Sequence, residues 1–489
     1  MVQVTAGRRR WVVLLLTSLG VYMVFLDGTI ANIAFPAIRR TFPDASLATL
    51  SWVLNAYSIV FASLLLASGR VADLVGRRRV FFLGLLVFCA GSALCGAAPT
   101  DGVLIAARAI QAVGASLLLP ASLALVLVEF PPTMRATAVG VWGAVGAVAA
   151  ASGPSLGGLI VDQIDWRWAF YVNLPIGLAA WLAGRRVLRE ARDESAAGWP
   201  DALGVVLVTL AVGALSLGIV EGTDWGWTDP RILAAFATAA VLIPNVVVRA
   251  GRHPAPVVDL ALFRVRSFAV ANVATVLFAT AFSAMLLSGV LFLTGVWRYS
   301  ILQAGLAVSP GPLFAALFAP PAGRLADRFG HRAVLVPGAL VFALGIGLYL
   351  TRVTAAPDYV GTWLVAACVT GMGVGLTLPT LGSSSAASLP PRRFAAGSAV
   401  SNTSRQVGFV LGVSLLVVIL GDVTRRAGLA PFQRGWTMML VLAVATAAIC
   451  AVMGRTIPRS SSPSGEGRGG GDRASSERAP TVPSPAGRG

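Results

Sequence analysis

At 489 residues, with 56% hydrophobic and only 12% charged side chains, the chain is too apolar for a soluble enzyme and long enough for many membrane spans. Its formal charge of +17 would suit a nucleic-acid partner, but all 38 basic residues are Arg and they are spread thinly over loops, which excludes that partner. The four cysteines, Cys89, Cys95, Cys368 and Cys450, fall inside apolar runs with neither disulfide nor metal spacing, so they are read as packing residues.

Fourteen apolar runs reach the length of about 18 to 25 residues needed to cross a hydrocarbon core. They lie at 11–35, 50–69, 80–98, 103–128, 136–161, 167–184, 202–221, 231–249, 267–294, 303–322, 334–351, 360–381, 396–420 and 435–453. With the N-terminus inside, 27 Arg fall in cytoplasmic segments, 9 outside, and 2, Arg108 and Arg405, within spans. That asymmetry follows the positive-inside rule and places both termini in the cytoplasm. The first run follows Arg8-Arg9-Arg10 but is long and lacks a small-residue cleavage pattern, so it is read as a retained helix and not a signal peptide.

The first run contains Leu26-Asp27-Gly28-Thr29-Ile30-Ala31-Asn32. An ionisable residue inside a span is costly, about 2.5 to 3.5 kcal/mol on insertion scales, and is a functional candidate by default. Asp27 lies roughly 12 Å below the outer face at 1.5 Å per residue. Arg108 in the fourth run lies roughly 8 Å below that face, so the two sit within about one helical turn of depth. Arg108 can hold the Asp27 carboxylate charged until a proton competes, and Gln111, one turn deeper, can extend the polar path. Phe25, Asn32, Trp52, Tyr57 and Trp142 are candidates to line a cavity, where aromatic faces stack on organic ligands.

The second run ends in Gly69-Arg70-Val71-Ala72-Asp73-Leu74-Val75-Gly76-Arg77-Arg78, and 254 residues later Gly323-Arg324-Leu325-Ala326-Asp327-Arg328-Phe329-Gly330-His331-Arg332 follows the tenth run. A recurring Arg-rich turn marks an internal duplication, the architecture of secondary transporters. Glycines permit a tight loop, Asp73 can accept from helix N-termini and Arg77 stays at the interface. The copies are eight spans apart, so two helices are inserted between six-span halves. The insert is placed at 202–249 between polar connectors. The expected organisation is an N-terminal six-helix half at 11–184, connectors with two extra helices at 185–266, a C-terminal six-helix half at 267–457 and a disordered cytoplasmic tail at 458–489.

In the fifth run, Gly140, Gly143 and Gly146 precede Gly153-Pro154-Ser155-Leu156-Gly157-Gly158, where glycines allow close helix approach and Pro154 introduces a bend. The segment Trp166 to Gly177 reads as an aromatic belt at the outer interface. The thirteenth run carries Asn402, Arg405 and Gln406, and no carboxylate in a neighbouring span is identified for Arg405, which either binds substrate or docks on helix ends. His253 and His331 are expected in cytoplasmic loops. Apart from Asp27, the placed acidic residues, including Glu129, Asp162, Glu221 and Asp422, are expected at helix ends or in loops. With one carboxylate at depth, neutral or monocationic substrates are expected.

The two Gly-Arg-Asp-Gly-Arg turns resemble the loop signature of the major facilitator superfamily. The 153–158 segment resembles the antiporter motif of that superfamily's drug exporters, although Ala149 stands where the pattern usually has Gly. With fourteen spans, the Asp27 segment, the 166–177 segment and the thirteenth run, residues 10–455 resemble the fourteen-span drug:proton antiporter family of the EmrB/QacA type. The resemblance implies an all-α major facilitator fold of 14 transmembrane helices arranged 6 + 2 + 6. It implies a latch role for Gly69, Asp73, Gly76, Arg77, Gly323, Asp327 and Gly330, and an exchange role for Gly153, Pro154, Gly157 and Gly158. The expected function is proton-coupled efflux of hydrophobic organic compounds across a bacterial cytoplasmic membrane, with no cofactor and no catalytic or metal site. The alternative is a dedicated exporter of one endogenous metabolite or self-made antibiotic. Lipid, substrate and protons are the expected partners. An integral-membrane enzyme would need a His cluster, a nucleophile with its base or paired carboxylates, and none is apparent.

Overall fold

The structure is a computed structural model that describes residues 6–131, 134–192, 199, 201–253, 260–387, 389, 394–421 and 428–453. The expected tail at 458–489, Asp422, Arg425 and Arg426 lie outside the described residues. The helices are α1 (Ala6–Thr41), α2 (Leu47–Val75), α3 (Arg77–Gly96), α4 (Asp101–Glu129), α5 (Arg135–Gln163), α6 (Trp168–Tyr171), α7 (Asn173–Val187), α8 (Ala202–Trp225) and α9 (Pro230–Arg252). There follow α10 (Arg266–Gly295), α11 (Ile301–Val308), α12 (Pro310–Phe329), α13 (His331–Arg352), α14 (Leu364–Ala387), α15 (Phe394–Leu420) and α16 (Leu429–Ala451). A 3₁₀ turn at Leu260–Arg264 and a π turn at Tyr359–Trp363 complete the order, and no strand occurs among the described residues.

Thirteen helical segments among the described residues are long and apolar enough to cross a membrane, against the fourteen runs expected. The difference lies in the sixth run, realised as α6 and α7 meeting at Val172. Pro175, the third residue of α7, has no N–H to return to the preceding turn, so α7 on its own spans only 15 residues. The tenth run is likewise built in two pieces, α11 and α12, with Pro310 starting the second at Ser309. His331, expected in a loop, is the first residue of α13 and is buried.

The duplication read from the two turns has a counterpart in packing. α3 packs along α4, and α13 packs along α14 in the same way. Between α2 and α3 the chain turns at Gly76 (φ +125°), and between α12 and α13 at Gly330 (φ +86°). Both are backbone conformations that L side chains rarely adopt, which is why glycine recurs at the second glycine position of each turn. The α8–α9 hairpin packs through α8 onto α2 and α15. Its outer member α9 presents Leu233, Val241, Ile243 and Val247 outward, as expected of a lipid-facing helix.

A cluster of aromatic side chains from α10, α13, α16 and the π turn closes one end of the C-terminal helices. Phe292 stacks on Trp363 at 5.5 Å and contacts Trp297, Phe432 and Trp436. The Trp436 indole donates to Ser288 Oγ at 3.2 Å, satisfying its polar edge inside the packing.

Candidate functional site

Asp27 and Arg108 are each 1% exposed and form a direct ion pair, Arg108 Nη1 to Asp27 Oδ2, at 2.5 Å. The pair is held from several helices. Gln111 Nε2 donates to Asp27 Oδ1 at 2.7 Å and Asn173 Nδ2 donates to the same oxygen at 3.3 Å. Arg108 Nη1 also donates to Gln111 Oε1 at 2.6 Å, and Arg108 Nε donates to the Val53 carbonyl at 3.0 Å. Ser92 Oγ accepts from both Gln111 and Asn173, joining α3 to the cluster. The guanidinium lies 4.1 Å from the Tyr57 ring centre and 5.7 Å from that of Phe170. Each charge is thus paired and hydrogen-bonded, the condition under which a buried ion pair persists.

Asn173, Ser92 and Val53 were not candidates in the sequence. Asn173 stood in the 166–177 segment read as an aromatic belt, yet it is fully buried at the start of α7. A polar amide immediately before an apolar helix was the signal available.

A second carboxylate is buried beside this network. Glu221, expected at a helix end, lies one turn before the end of α8, is 5% exposed and accepts from Trp52 Nε1 at 3.1 Å. Trp52 adjoins Val53, whose carbonyl binds Arg108, so Glu221 and Asp27 sit at neighbouring levels of α2. Asp27 is therefore joined by a second buried carboxylate, near the end of its span.

The remaining candidates are placed as follows. Phe25 packs on the core around α1 and faces Gly146 of α5. Asn32 Nδ2 donates to Gly28 O of its own helix at 2.9 Å, and Trp142 Nε1 donates to Ser122 Oγ at 3.1 Å. Tyr57 is buried, stacked near Phe61 and beneath Arg108. Arg405 lines a cavity of about 90 Å³ formed by Thr275 of α10, Leu378 and Gly382 of α14, and Ser401, Asn402 and Arg405 of α15.

At the first Arg-rich turn, Asp73 Oδ1 accepts from Arg77 Nε at 2.9 Å and Nη2 at 2.8 Å, where acceptance from a helix N-terminus was expected. The turn is clasped by the segment after α7: Arg77 N donates to Ala191 O at 3.0 Å and Arg78 N to Glu190 Oε1 at 3.0 Å. In the second copy Gly323 and Asp327 belong to α12, Gly330 makes the turn, and the Asp327 side chain lies outside the description.

The 153–158 segment forms contacts between the N-terminal and C-terminal helices. Ser155 Oγ lies 2.6 Å from Ser309 Oγ. A Cβ placed on Gly305 would strike the Pro154 carbonyl, and one on Gly158 would meet Ile301 O at 3.0 Å. Gly153 and Gly157 instead let α5 settle against Thr29 and Ile30 of α1. Elsewhere Asn55 Nδ2 donates to Ser414 Oγ at 3.3 Å and Thr403 Oγ1 to the Ala62 carbonyl at 3.4 Å, joining α2 to α15. These contacts lie away from the two Arg-rich turns.

Among the described residues, no group of three or more His, Cys, Asp or Glu could hold a metal ion. What the fold and its buried charges define is a polytopic helical transporter. The sequence matches the Major Facilitator Superfamily over residues 17–296 and 273–486, and the chain belongs to that family. It is not an enzyme. It is 35% identical over 417 residues to the multidrug resistance protein Stp of Mycobacterium tuberculosis, covering 85% of this chain and 76% of that protein. It is 35% identical over 468 residues to the puromycin resistance protein pur8 of Streptomyces alboniger, covering 91% and 90%. It is 32% identical over 417 residues to the tetracenomycin C resistance and export protein of Streptomyces glaucescens, covering 85% and 76%. Among solved structures, a peptide transporter POT in complex with sulfate superposes with a TM-score of 0.67 at 17% identity, covering 92% of this chain and 96% of that one. A bacterial homologue of the lysosomal transporter Spinster, described as inward-facing and unoccupied, gives 0.65 at 16% identity and covers 92% and 98%. At these identities the structural likeness speaks for the fold.

Proposed function

We propose that this chain is a proton-coupled antiporter of the fourteen-span drug:proton type that exports hydrophobic organic compounds from a bacterial cytoplasm. The resistance and export relatives support drug efflux. The coupling rests on one observation, the enclosed Asp27–Arg108 pair. Protonation of Asp27 removes the partner of a buried guanidinium, and an uncompensated buried charge costs several kcal/mol even after relaxation. The helices carrying the pair must therefore rearrange when the proton arrives, which links protonation to a change of conformation. No cofactor is required, since the proton gradient supplies the energy.

The Arg-rich turns are assigned to the cytoplasmic side with both termini, on the positive-inside distribution. On that orientation α5 and α11 meet at the outer side, and alternating access consists of parting these ends while the cytoplasmic ends close. Residues 11–184 and 267–457 would move as the two halves, with the α8–α9 hairpin between them as the pair of extra helices and α6 with α7 as one two-piece span. Asp73, Arg77, Gly69, Gly76, Gly323, Asp327 and Gly330 act as the cytoplasmic latch. Export of one compound only is the second reading, favoured by single-antibiotic names among the relatives, such as the puromycin resistance protein. Growth protection of a pump-deficient host against a panel of compounds separates the two: protection against several unrelated structures supports multidrug export, and protection against one supports the dedicated exporter.

A further inference from the structure

Arg405 differs from Arg108 in one respect that bears on the cargo. Arg108 has its countercharge built in, as Asp27. Among the described residues, Arg405 forms no ion pair, and its hydrogen-bond partner is the neutral Asn402 Oδ1 at 2.7 Å from Nη2. A guanidinium presents five N–H donors in a fixed fork, so most of its capacity remains for another group. Among the described residues the cavity that Arg405 lines contains no carboxylate: its other walls are Thr275, Ser401, Asn402, Leu378 and Gly382. Thr275 spends its hydroxyl proton on the Ala271 carbonyl at 2.7 Å, which leaves the Arg405 guanidinium as the charged donor of the lining. The two buried carboxylates of the spans are engaged elsewhere, Asp27 with Arg108 and Glu221 with Trp52.

We infer that the Arg405 cavity is an acid-binding subsite: it takes an anionic oxygen, a carboxylate or an ionised phenol or enol, carried by a hydrophobic compound. The chemistry follows from the lining. The planar fork of Arg405 matches a carboxylate or a pair of acidic oxygens through charge-assisted hydrogen bonds. Leu378 and the bare backbone of Gly382 offer an apolar wall for the adjoining carbons. A cavity of about 90 Å³ accepts the acidic group and the carbons next to it, and not a whole drug-sized molecule. The subsite lies within α10, α14 and α15, apart from the Asp27–Arg108 pair on α1 and α4, so acid recognition and proton coupling are carried by different helices.

Calling the acid a substrate rests on the export reading; its binding does not. The test is equilibrium binding of 2-naphthoate and of its neutral methyl ester to the purified full chain in a neutral detergent, for wild type, Arg405→Gln and Arg405→Lys. The wild type is expected to bind the acid about ten-fold more tightly than the ester, the size of one charge-assisted interaction. Arg405→Gln should abolish the preference while leaving ester binding unchanged, and Arg405→Lys should keep part of it, which also guards against misfolding. A wild type with no preference for the acid, or an Arg405→Gln protein that retains it, overturns the subsite. Phosphatidylglycerol is added in a further arm: displacement of naphthoate by the lipid would assign the anion site to a headgroup and overturn its role in substrate recognition. Failure of any arm leaves proton coupling through Asp27 untouched, because that is read by transport and not by acid binding.

Discussion

Trp52 and Val53, adjacent on α2, hold two different carboxylate networks: the Trp52 indole donates to Glu221 of the α8–α9 hairpin, and the Val53 carbonyl accepts from Arg108, the partner of Asp27. One turn of α2 therefore joins the hairpin to the buried ion pair. A shift of α2 during transport would be felt by both.

Trp52→Phe removes the donor and leaves Glu221 buried without it. A hydrogen bond to a charged group contributes about 1.5 to 3 kcal/mol, and more is lost if the carboxylate stays ionised. Thermal unfolding of the detergent-solubilised protein should show Trp52→Phe to be clearly destabilising and Trp52→Phe with Glu221→Gln less so. Equal destabilisation in the single and double variants would mean that the pair carries no such interaction.

The contact of α5 with α11 gives a steric prediction. Gly305→Ala places a methyl group against the Pro154 carbonyl, a backbone atom that cannot swing aside. The state in which these ends meet is then disfavoured, and a cysteine introduced at Ser155 or Ser309 should react faster with an impermeant maleimide applied from outside. Unchanged labelling would show that this contact does not govern outer access.

At the first Arg-rich turn, Asp73→Asn or Arg77→Ala should slow transport several-fold without removing ligand binding, because the Asp73–Arg77 bond lies at the end of α2, far along that helix from the Asp27 network. Loss of binding in a folded variant would refute the latch assignment. Gly76→Ala should be more damaging than either, since the position has a φ of +125° and a Cβ would meet the Glu190 carboxylate at 2.6 Å.

The feet of the α8–α9 hairpin carry a pH signature. Arg249 Nη2 lies 2.6 Å from Asp201 Oδ1, and Asp201 caps α8 by accepting from Gly204 N at 2.8 Å. Burial on its own would raise the Asp201 pKa, but the hydrogen bonds from Arg249 and Gly204 and the charge of Arg249 together hold it below its ordinary value. A carboxyl group depressed on folding contributes stability above its unfolded pKa of about 3.9, and that contribution is lost as pH falls through the folded value. Hairpin docking, followed by a spin-label distance between positions near 201 and 249, should be constant from about pH 5 to 8 and loosen only in stronger acid. Asp201→Asn, which keeps an N-cap and removes the charge, should loosen the feet at neutral pH.

The apolar runs were legible because a spanning helix has a fixed length and an obligatory composition. Asp27 and Arg108 could be placed at one depth from helix rise alone, and the structure brings them into contact. What escaped the sequence was non-local. Asn173 and Ser92 join the cage from α7 and α3 with nothing local to mark them, apart from a polar residue within an apolar stretch. Glu221 was read by its place near the end of a run, whereas its burial depends on α2 lying alongside. The break between α6 and α7 was written in Pro175, but hydropathy averages over a single proline.

The most direct test of the account is transport by Asp27→Asn in proteoliposomes, using a compound first identified by growth protection. With an imposed pH gradient, the wild type should accumulate the compound against its concentration gradient. Asp27→Asn should still bind it but lose gradient-driven accumulation entirely. An Asp27→Asn protein that accumulates the compound as the wild type does, and still responds to the pH gradient, would contradict proton coupling through Asp27.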